Sequence, residues 1–411
     1  MTENVPDLGG ADWLRAPAVR KVFDLLDRDA PPSRIVGGAV RDALAGLDVG
    51  ELDFATPLVP EEVMRRAEAG GCKAVPTGFD HGTVTLVVGG VPYQVTTLRE
   101  DVETDGRHAI VRFGTDWAAD AKRRDFTVNA LSVDSTGRVH DPLDGFGDIL
   151  ARRIRFIGDP DQRIAEDRLR VLRFFRFNAQ FGRGSLEPEG LSAAIRARND
   201  LRQLSAERIG QEMRRLVSAP RASETLAAMQ DSGILGVVLA GVAYLGPFER
   251  LLRFVPDADV PLRLAALGCR IEEDVERLTQ RLRLSNAERD AMLAGVVAAR
   301  RWQMPESERQ ARASLYRLGA AVWADAVALA HAWSVAFPDD EAWRALHDLP
   351  KQWEPPRFPL GGADVLGAGA GHGPVVGEIL KALESWWIAE DFAPDVTALR
   401  QRLQQMVSAA Q

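Results

Sequence analysis

The chain is poor in the side chains that metal and redox chemistry draw on: its 411 residues include two cysteines, six histidines and three tyrosines. Cys72 and Cys269 lie far apart and fit no zinc or redox spacing, so each reads as a buried small apolar residue in a reducing compartment. No apolar run approaches the roughly 20 residues of a membrane-spanning helix, and no membrane partner is expected. The opening MTENVPDLGGADWLR lacks a basic segment followed by an apolar one, so no secretion signal is read and a cytoplasmic location is expected. The remainder is ordinary, with 46% hydrophobic and 27% charged residues, 36 Gly and 23 Pro, which excludes a disordered, collagenous or disulfide-framework class. At about 100–200 residues per domain, two or three domains are expected.

Net charge is −8, which argues against a surface that binds nucleic acid non-specifically. The charge is unevenly placed. Residues 151–215 hold fifteen arginines, no lysine and nine acidic residues, a local excess of six positive charges. Arginine in that excess suits bidentate contacts with phosphates or bases, although such runs also occur as solvated helix faces.

The first third alternates short β-branched runs with short helices. RIVGG at 34–38 reads as a strand ending in a glycine pair, and AVRDALAG at 39–46 as the helix it feeds. ELDFAT at 51–56 alternates like a strand, and PEEVMRRAEAGG at 60–71 reads as a helix with acidic residues in its first turn and glycine after its end. TVTLVVGGVPYQVTTL at 83–98 reads as a hairpin. Glu100 to Asp116 is polar and unpatterned, long enough to read as a functional or mobile loop. Beyond about residue 155 amphipathic helices take over, with Pro-containing joints near 246–261 and 349–361.

Four elements carry chemistry. Gly37-Gly38, between strand and helix, lets backbone N–H groups approach an anion, although such a pair also serves as a plain turn. Glu51 and Asp53, two apart in an expected strand, project from one face and can hold Mg²⁺ ions; an acidic pair on an edge strand is the bland alternative. In KRRDFTVNAL at 122–131, Arg123 and Arg124 can meet phosphates, and Asp125 lies on the same face as Asn129 if the stretch is helical. In EDRLR at 166–170, a helix would make Asp167 and Arg170 neighbours. An acceptor beside a donor matches the edge shared by cytosine and adenine and mismatches guanine and uracil, whereas a lone pair of this kind is more often a surface salt bridge.

In this order, GGAVRD at 37–42, ELDFAT at 51–56, RRDFTVNAL at 123–131 and AEDRLRVLRFFRF at 165–177 resemble the class II tRNA nucleotidyltransferase and bacterial poly(A) polymerase family. HDPLDGFGDILARRIRFIGDP at 140–160 is similar to that family's link between head and neck, and 362–387 resembles a helical element near its C-terminus. PTGFDHGTVTLVV at 76–88 looks more like the CCA-adding branch. The resemblance implies an α+β fold: a nucleotidyltransferase head with a small mixed β-sheet over 1–155, a helical neck for base recognition over 156–220, and an all-α body and tail for tRNA binding over 221–411. It implies template-independent addition of C, C and A to the tRNA 3′ end from CTP and ATP. A poly(A) polymerase, a CC-only adding enzyme or a tRNA-binding protein with a weakened active site are the alternatives.

Residue by residue, the resemblance assigns Gly37, Gly38 and Arg41 to the triphosphate, and Glu51 and Asp53 to catalysis through two Mg²⁺ ions. Arg124, Asp125, Asn129 and Arg173 would serve the nucleotide pocket, and Asp167 and Arg170 would read the base. The Glu100–Asp116 segment would be the family's flexible loop, and the helices after about 215 would grip the acceptor stem and T arm. Two positions depart from the family pattern: Glu51 stands where Asp is usual, and Gln94 where Glu is usual. An added methylene moves a carboxylate by about 1.5 Å, and misplacement on that scale costs on the order of a hundredfold in rate. The two His-Asp dipeptides, His140-Asp141 and His347-Asp348, have no matching ligand set among the six histidines, so no HD-type phosphohydrolase is expected. Phe174, Phe175 and Phe177 read as neck core. Oligomeric state is left open.

Overall fold

The computed structural model describes residues 5–104 and 109–410, which divide into two compact units, Met1–Ala240 and Gly241–Gln411. Head and neck share the first unit.

The head is built on a seven-stranded mixed sheet in the order β3-β4-β5-β2-β1-β8-β9. The strands are β1 (Arg34–Val36), β2 (Asp53–Thr56), β3 (Lys73–Gly78), β4 (Thr83–Val88), β5 (Val91–Thr97), β8 (Ser132–Asp134) and β9 (Val139–His140). Alternation in β4 buries Val84, Leu86 and Val88 on one face, and the helices Pro17–Asp27 and Pro60–Ala69 pack against the sheet. The β4–β5 turn needs two left-handed residues, which Gly89 (φ 61°) and Gly90 (φ 83°) supply without a Cβ penalty. Phe54 lies at the centre of this core, 5.0 Å from the Phe23 ring and 5.9 Å from the Tyr93 ring. Every pairing in the sheet is antiparallel except β2 with β5, whose register sets Asp53 opposite Gln94.

Three expectations change. The second strand begins at Asp53, so Glu51 and Leu52 precede it and are not strand residues. The segment read as an unpatterned loop is largely a two-stranded antiparallel ribbon, β6 (Arg99–Thr104) with β7 (Ala109–Phe113), while residues 105–108 of that segment lie outside the described residues. Backbone hydrogen bonds make this ribbon, and they form without any apolar alternation in the sequence to announce them. The first Pro-containing joint is narrower than expected, because Leu245–Phe254 is helical and the break spans only 255–259.

In the neck, helices Pro160–Glu166, Leu169–Gln180, Pro188–Arg196 and Ala206–Val217 follow one another. Phe156 bridges Phe126 of the head and stacks at 5.5 Å on Phe174 of the neck, and Phe126 meets Phe177 at 5.4 Å. This aromatic seam joins the neck to the head. The second unit has no strand among the described residues; the apolar helix Ala320–Trp333 runs through its core, and Val365, Leu383, Trp387, Leu399 and Leu403 form a separate apolar cluster. Among the described residues no helix is long and apolar enough to cross a membrane.

Candidate active site

One cavity of the first unit, about 590 Å³, gathers eight arginines and three aspartates from segments spread between residues 36 and 215. Such an excess of fixed positive charge suits a polyanion. Gly37, Gly38, Arg41, Asp53, Arg124, Asp125, Asn129, Asp167, Arg170 and Arg173 all line it; of the residues expected from sequence, Glu51 alone stands outside the lining.

The floor is set by the turn after β1. Gly37 has φ 72° and caps the helix Gly38–Leu44, a backbone state that side-chain-bearing residues rarely adopt. Arg41 on that helix donates through Nη1 to Asn129 Oδ1 at 2.8 Å and through Nε to Asp42 at 2.8 Å. Asn129 donates in turn to Asp125 Oδ1 at 3.1 Å, and Arg173 of the neck donates to Asp125 Oδ2 at 2.6 Å. Asp125 and Asn129 meet although no helix spans them: only Thr127–Asn129 winds, as a 3-10 turn. Burial works against the Asp125 charge, but Arg173 and the Asn129 and Phe126 N–H donors outweigh it and hold the carboxyl below its ordinary range. A depressed carboxyl contributes stability above its unfolded pKa, near 3.9, and that stability is lost as pH falls through the lower folded value. Asp125→Asn is therefore expected to lower the urea midpoint at pH 7, with a gap from wild type that shrinks below about pH 4; a gap independent of pH would contradict this.

Arg123 and Arg124 are held by one buried acid, Asp120, at 2.6 and 3.1 Å. Asp53 opens onto the same cavity. Partial burial and then the neighbouring Glu51 push its carboxyl above the ordinary range, against the pull of Arg124. Among the described residues no three His, Cys, Asp or Glu side chains are grouped to hold a metal. The Asp53–Glu51 pair nonetheless fits a hard divalent cation that takes the rest of its shell from water and substrate phosphates. The neutral amide of Gln94 stands beside Asp53 on the adjacent strand.

Asp167 and Arg170 do not share a helix. Asp167 ends the helix Pro160–Glu166 in an extended conformation (φ −150°), and the next helix starts at Leu169. Its Oδ1 accepts from the Leu169 N–H at 3.1 Å and its Oδ2 from Arg208 Nη2 at 2.8 Å. Arg170 donates through Nη1 to Glu166 and to the Arg163 carbonyl, both at 2.6 Å. Each half of the pair thus has its own anchor, and both still border the cavity.

Sequence reasoning missed Arg176, Arg208 and Arg215 in the lining and Glu212, which pairs with Arg176; Phe177 is buried in the core as expected and also borders the cavity. Phe177 lines the cavity beneath Arg41, Arg173 and Arg176, whose guanidinium carbons lie 5.4, 5.3 and 4.0 Å from the ring centroid. Arg208, Glu212 and Arg215 fall at i, i+4 and i+7 of one helix, a one-face spacing that could have revealed them.

Residues 33–155 match the family described as Poly A polymerase head domain, and 185–245 match the probable RNA and SrmB-binding site of polymerase A. The mitochondrial CCA tRNA nucleotidyltransferase 1 of Danio rerio is 34% identical over 371 residues, covering 86% of this chain and 83% of that protein. The chain belongs to the CCA tRNA nucleotidyltransferase family. Within this family, the CCA-adding enzyme of Geobacillus thermodenitrificans is 40% identical over 227 residues, 55% of each protein. The solved Bacillus stearothermophilus CCA-adding enzyme, in complex with CTP, superposes with a TM-score of 0.75 at 26% identity, covering 96% of this chain and 98% of that one. A Thermotoga maritima CCA-adding enzyme, at 19% identity and a TM-score of 0.72, shares the fold. Membership implies that catalysis depends on a divalent metal.

Proposed function

We propose that the arginine-lined cavity takes CTP and then ATP, and that the enzyme adds C, C and A to the 3′ end of tRNA without a nucleic-acid template. One observation carries this reading: eight arginines, the Asp53 carboxylate and both Asp167 and Arg170 border a single cavity. Gly37, Gly38 and Arg41 hold the triphosphate, with Arg124 beside them. Asp125, Asn129 and Arg173 keep that side of the pocket rigid and serve the nucleotide sugar. The tRNA 3′-hydroxyl attacks the α-phosphorus, and pyrophosphate leaves. Asp53 and Glu51 would hold Mg²⁺ with the substrate phosphates, a cation that supplies Lewis-acid stabilisation of the developing charge when bound.

Asp167 would accept the amino hydrogen of cytosine or adenine, and Arg170 would donate to the ring nitrogen beside it. The protein then acts as its own template. The helices after about 221 would hold the acceptor stem and T arm through shape and phosphates.

Labelled CTP and ATP, offered separately and together to tRNA lacking its last three nucleotides, test the reading. Two C residues from CTP, extended by one A when ATP is added, support it. A product that stops at two cytidines, or takes ATP alone onto unstructured RNA, turns it into one of the narrower activities.

A second reading, a tRNA binder with a weakened active site, is favoured by the neutral Gln94 standing in register with Asp53. On that reading Glu51→Asp combined with Gln94→Glu is expected to raise single-turnover incorporation by roughly ten- to a hundredfold. An enzyme already at full rate and unmoved by both changes would end it.

A further inference from the structure

The positive charge of the active-site cavity is balanced almost arginine by arginine. Seven of the eight arginines that border it each have a carboxylate oxygen at 3.1 Å or closer, from Asp42, Asp120, Asp125, Glu166, Asp167 or Glu212. Arg215 is the eighth. It lies exposed in the last turn of the helix Ala206–Val217 and has no acidic partner among the described residues. Its neighbour is itself cationic: burial, and after it the like charges of Arg173 and Arg215, push the Arg176 guanidinium down against the pull of Glu212. A cation held near another, with no counterion of its own, carries a repulsion that a bound anion relieves.

The neck helix Leu169–Gln180 identifies the anion. Arg170, Arg173, Arg176, Phe177 and Gln180 follow one another at three- and four-residue steps, so one stripe of the helix borders the cavity. The stripe runs ten residues, about 15 Å at 1.5 Å per residue. On the proposed reading, Arg170 at its start meets the base, and Arg173, hydrogen-bonded to Asp125, stands on the sugar side. At its far end Arg41, the arm for the triphosphate, lies 5.4 Å from the Phe177 ring and 5.2 Å from the Phe181 ring. A nucleotide with its base at Arg170 therefore carries its phosphates toward the turn between Arg176 and Gln180. Gln180 keeps that turn cationic, because its Oε1 accepts from Arg176 Nη1 at 2.7 Å and orients the guanidinium without neutralising it.

The base readers leave one choice open. CTP, CDP and CMP present the same base edge to Asp167 and Arg170, and only the third phosphate separates a substrate that can release pyrophosphate from the shorter nucleotides that cannot. We infer, on the reading that this cavity takes CTP and ATP, that Arg215 binds the terminal phosphate of the incoming nucleotide beside Arg176 and sets a preference for triphosphates over di- and monophosphates. The contact reads no base, so it serves both substrates alike. After transfer it holds the departing pyrophosphate.

Equilibrium binding of CTP, CDP and CMP to the full chain, wild type against Arg215→Gln and Arg215→Lys, tests this. Arg215→Gln is expected to weaken CTP about tenfold, the scale of one charge-assisted hydrogen bond at a solvent-bordered site, and CDP and CMP by less than about twofold. Arg215→Lys is expected to recover most of the loss, since an ammonium still binds a phosphate as a point charge. In incorporation, KM for CTP and for ATP is expected to rise by the same factor while KM for tRNA stays. The thermal midpoint is expected not to move, because the side chain is exposed and lacks an ion pair. Equal weakening of all three nucleotides overturns the proposal, and so does a raised KM for tRNA with CTP affinity intact, which would give Arg215 to the RNA backbone. CTP binding that ignores both substitutions overturns it and leaves the reading of the cavity standing, whereas wild type that binds no CTP overturns both.

Discussion

Asp53→Asn is expected to lower nucleotide incorporation by about three orders of magnitude while tRNA binding stays within twofold. The magnitude follows from the several kcal/mol of charge stabilisation that a divalent ion supplies at a transferring phosphoryl group, at 1.36 kcal/mol per decade. Asp53 is the acid that both opens onto the arginine-lined cavity and begins a central strand, so its backbone is fixed by pairing to β1 and β5. Asn keeps the volume and removes the charge. Removing that charge also relieves the burial cost and then the Glu51 repulsion that raise the Asp53 carboxyl, so the variant is expected to be at least as stable as wild type at neutral pH. Single-turnover incorporation, tRNA binding by filter retention and a thermal melt separate these effects. Loss of tenfold or less would mean that Asp53 does not hold the catalytic cation.

Glu212→Ala is expected to have the largest effect on stability, a loss of about 3–5 kcal/mol. Glu212 and Arg176 are each about 5% exposed, form a close ion pair, and Arg173 reaches Glu212 from 3.9 Å. Removing the acid leaves the buried Arg176 with Gln180 Oε1 as its main acceptor, at 2.7 Å. Burial already pushes the Arg176 guanidinium down, with Glu212 as its leading counterweight. The double change Glu212→Leu with Arg176→Met is expected to recover most of the loss, because an apolar pair of similar volume avoids the desolvation cost. Urea unfolding of wild type and the two variants measures this; a single variant within 1 kcal/mol of wild type would show the pair to be solvated in solution. The recovered double variant is still expected to bind nucleotide poorly, since Arg176 stacks on Phe177 in the cavity wall.

Local chemistry was legible in the sequence. The glycine pair after β1, the Gly89-Gly90 hairpin, the helix Pro60–Ala69 and the change from strands to helices near residue 155 all follow from propensities and periods that act within a few residues. Most of the residues expected at the site do meet in one cavity, because the motifs that carry them sit at the ends of those local elements.

Other features depend on contacts between distant segments. Periodicity ran one helix through Asp167, whereas the structure breaks it there and anchors the carboxylate on Arg208, 41 residues away. Gln94 reaches Asp53 only through the one parallel pairing of the sheet. Composition, spacing and the ordered motifs therefore determined by themselves the α+β head, the helical remainder and the identity of the acids and arginines. The tertiary structure decided which partner each charge has, and hence which carboxyl is held low, as at Asp125, and which is pushed up, as at Asp53. The physical reason is that burial and Coulomb interactions depend on distances through space, which strand register and helix packing set.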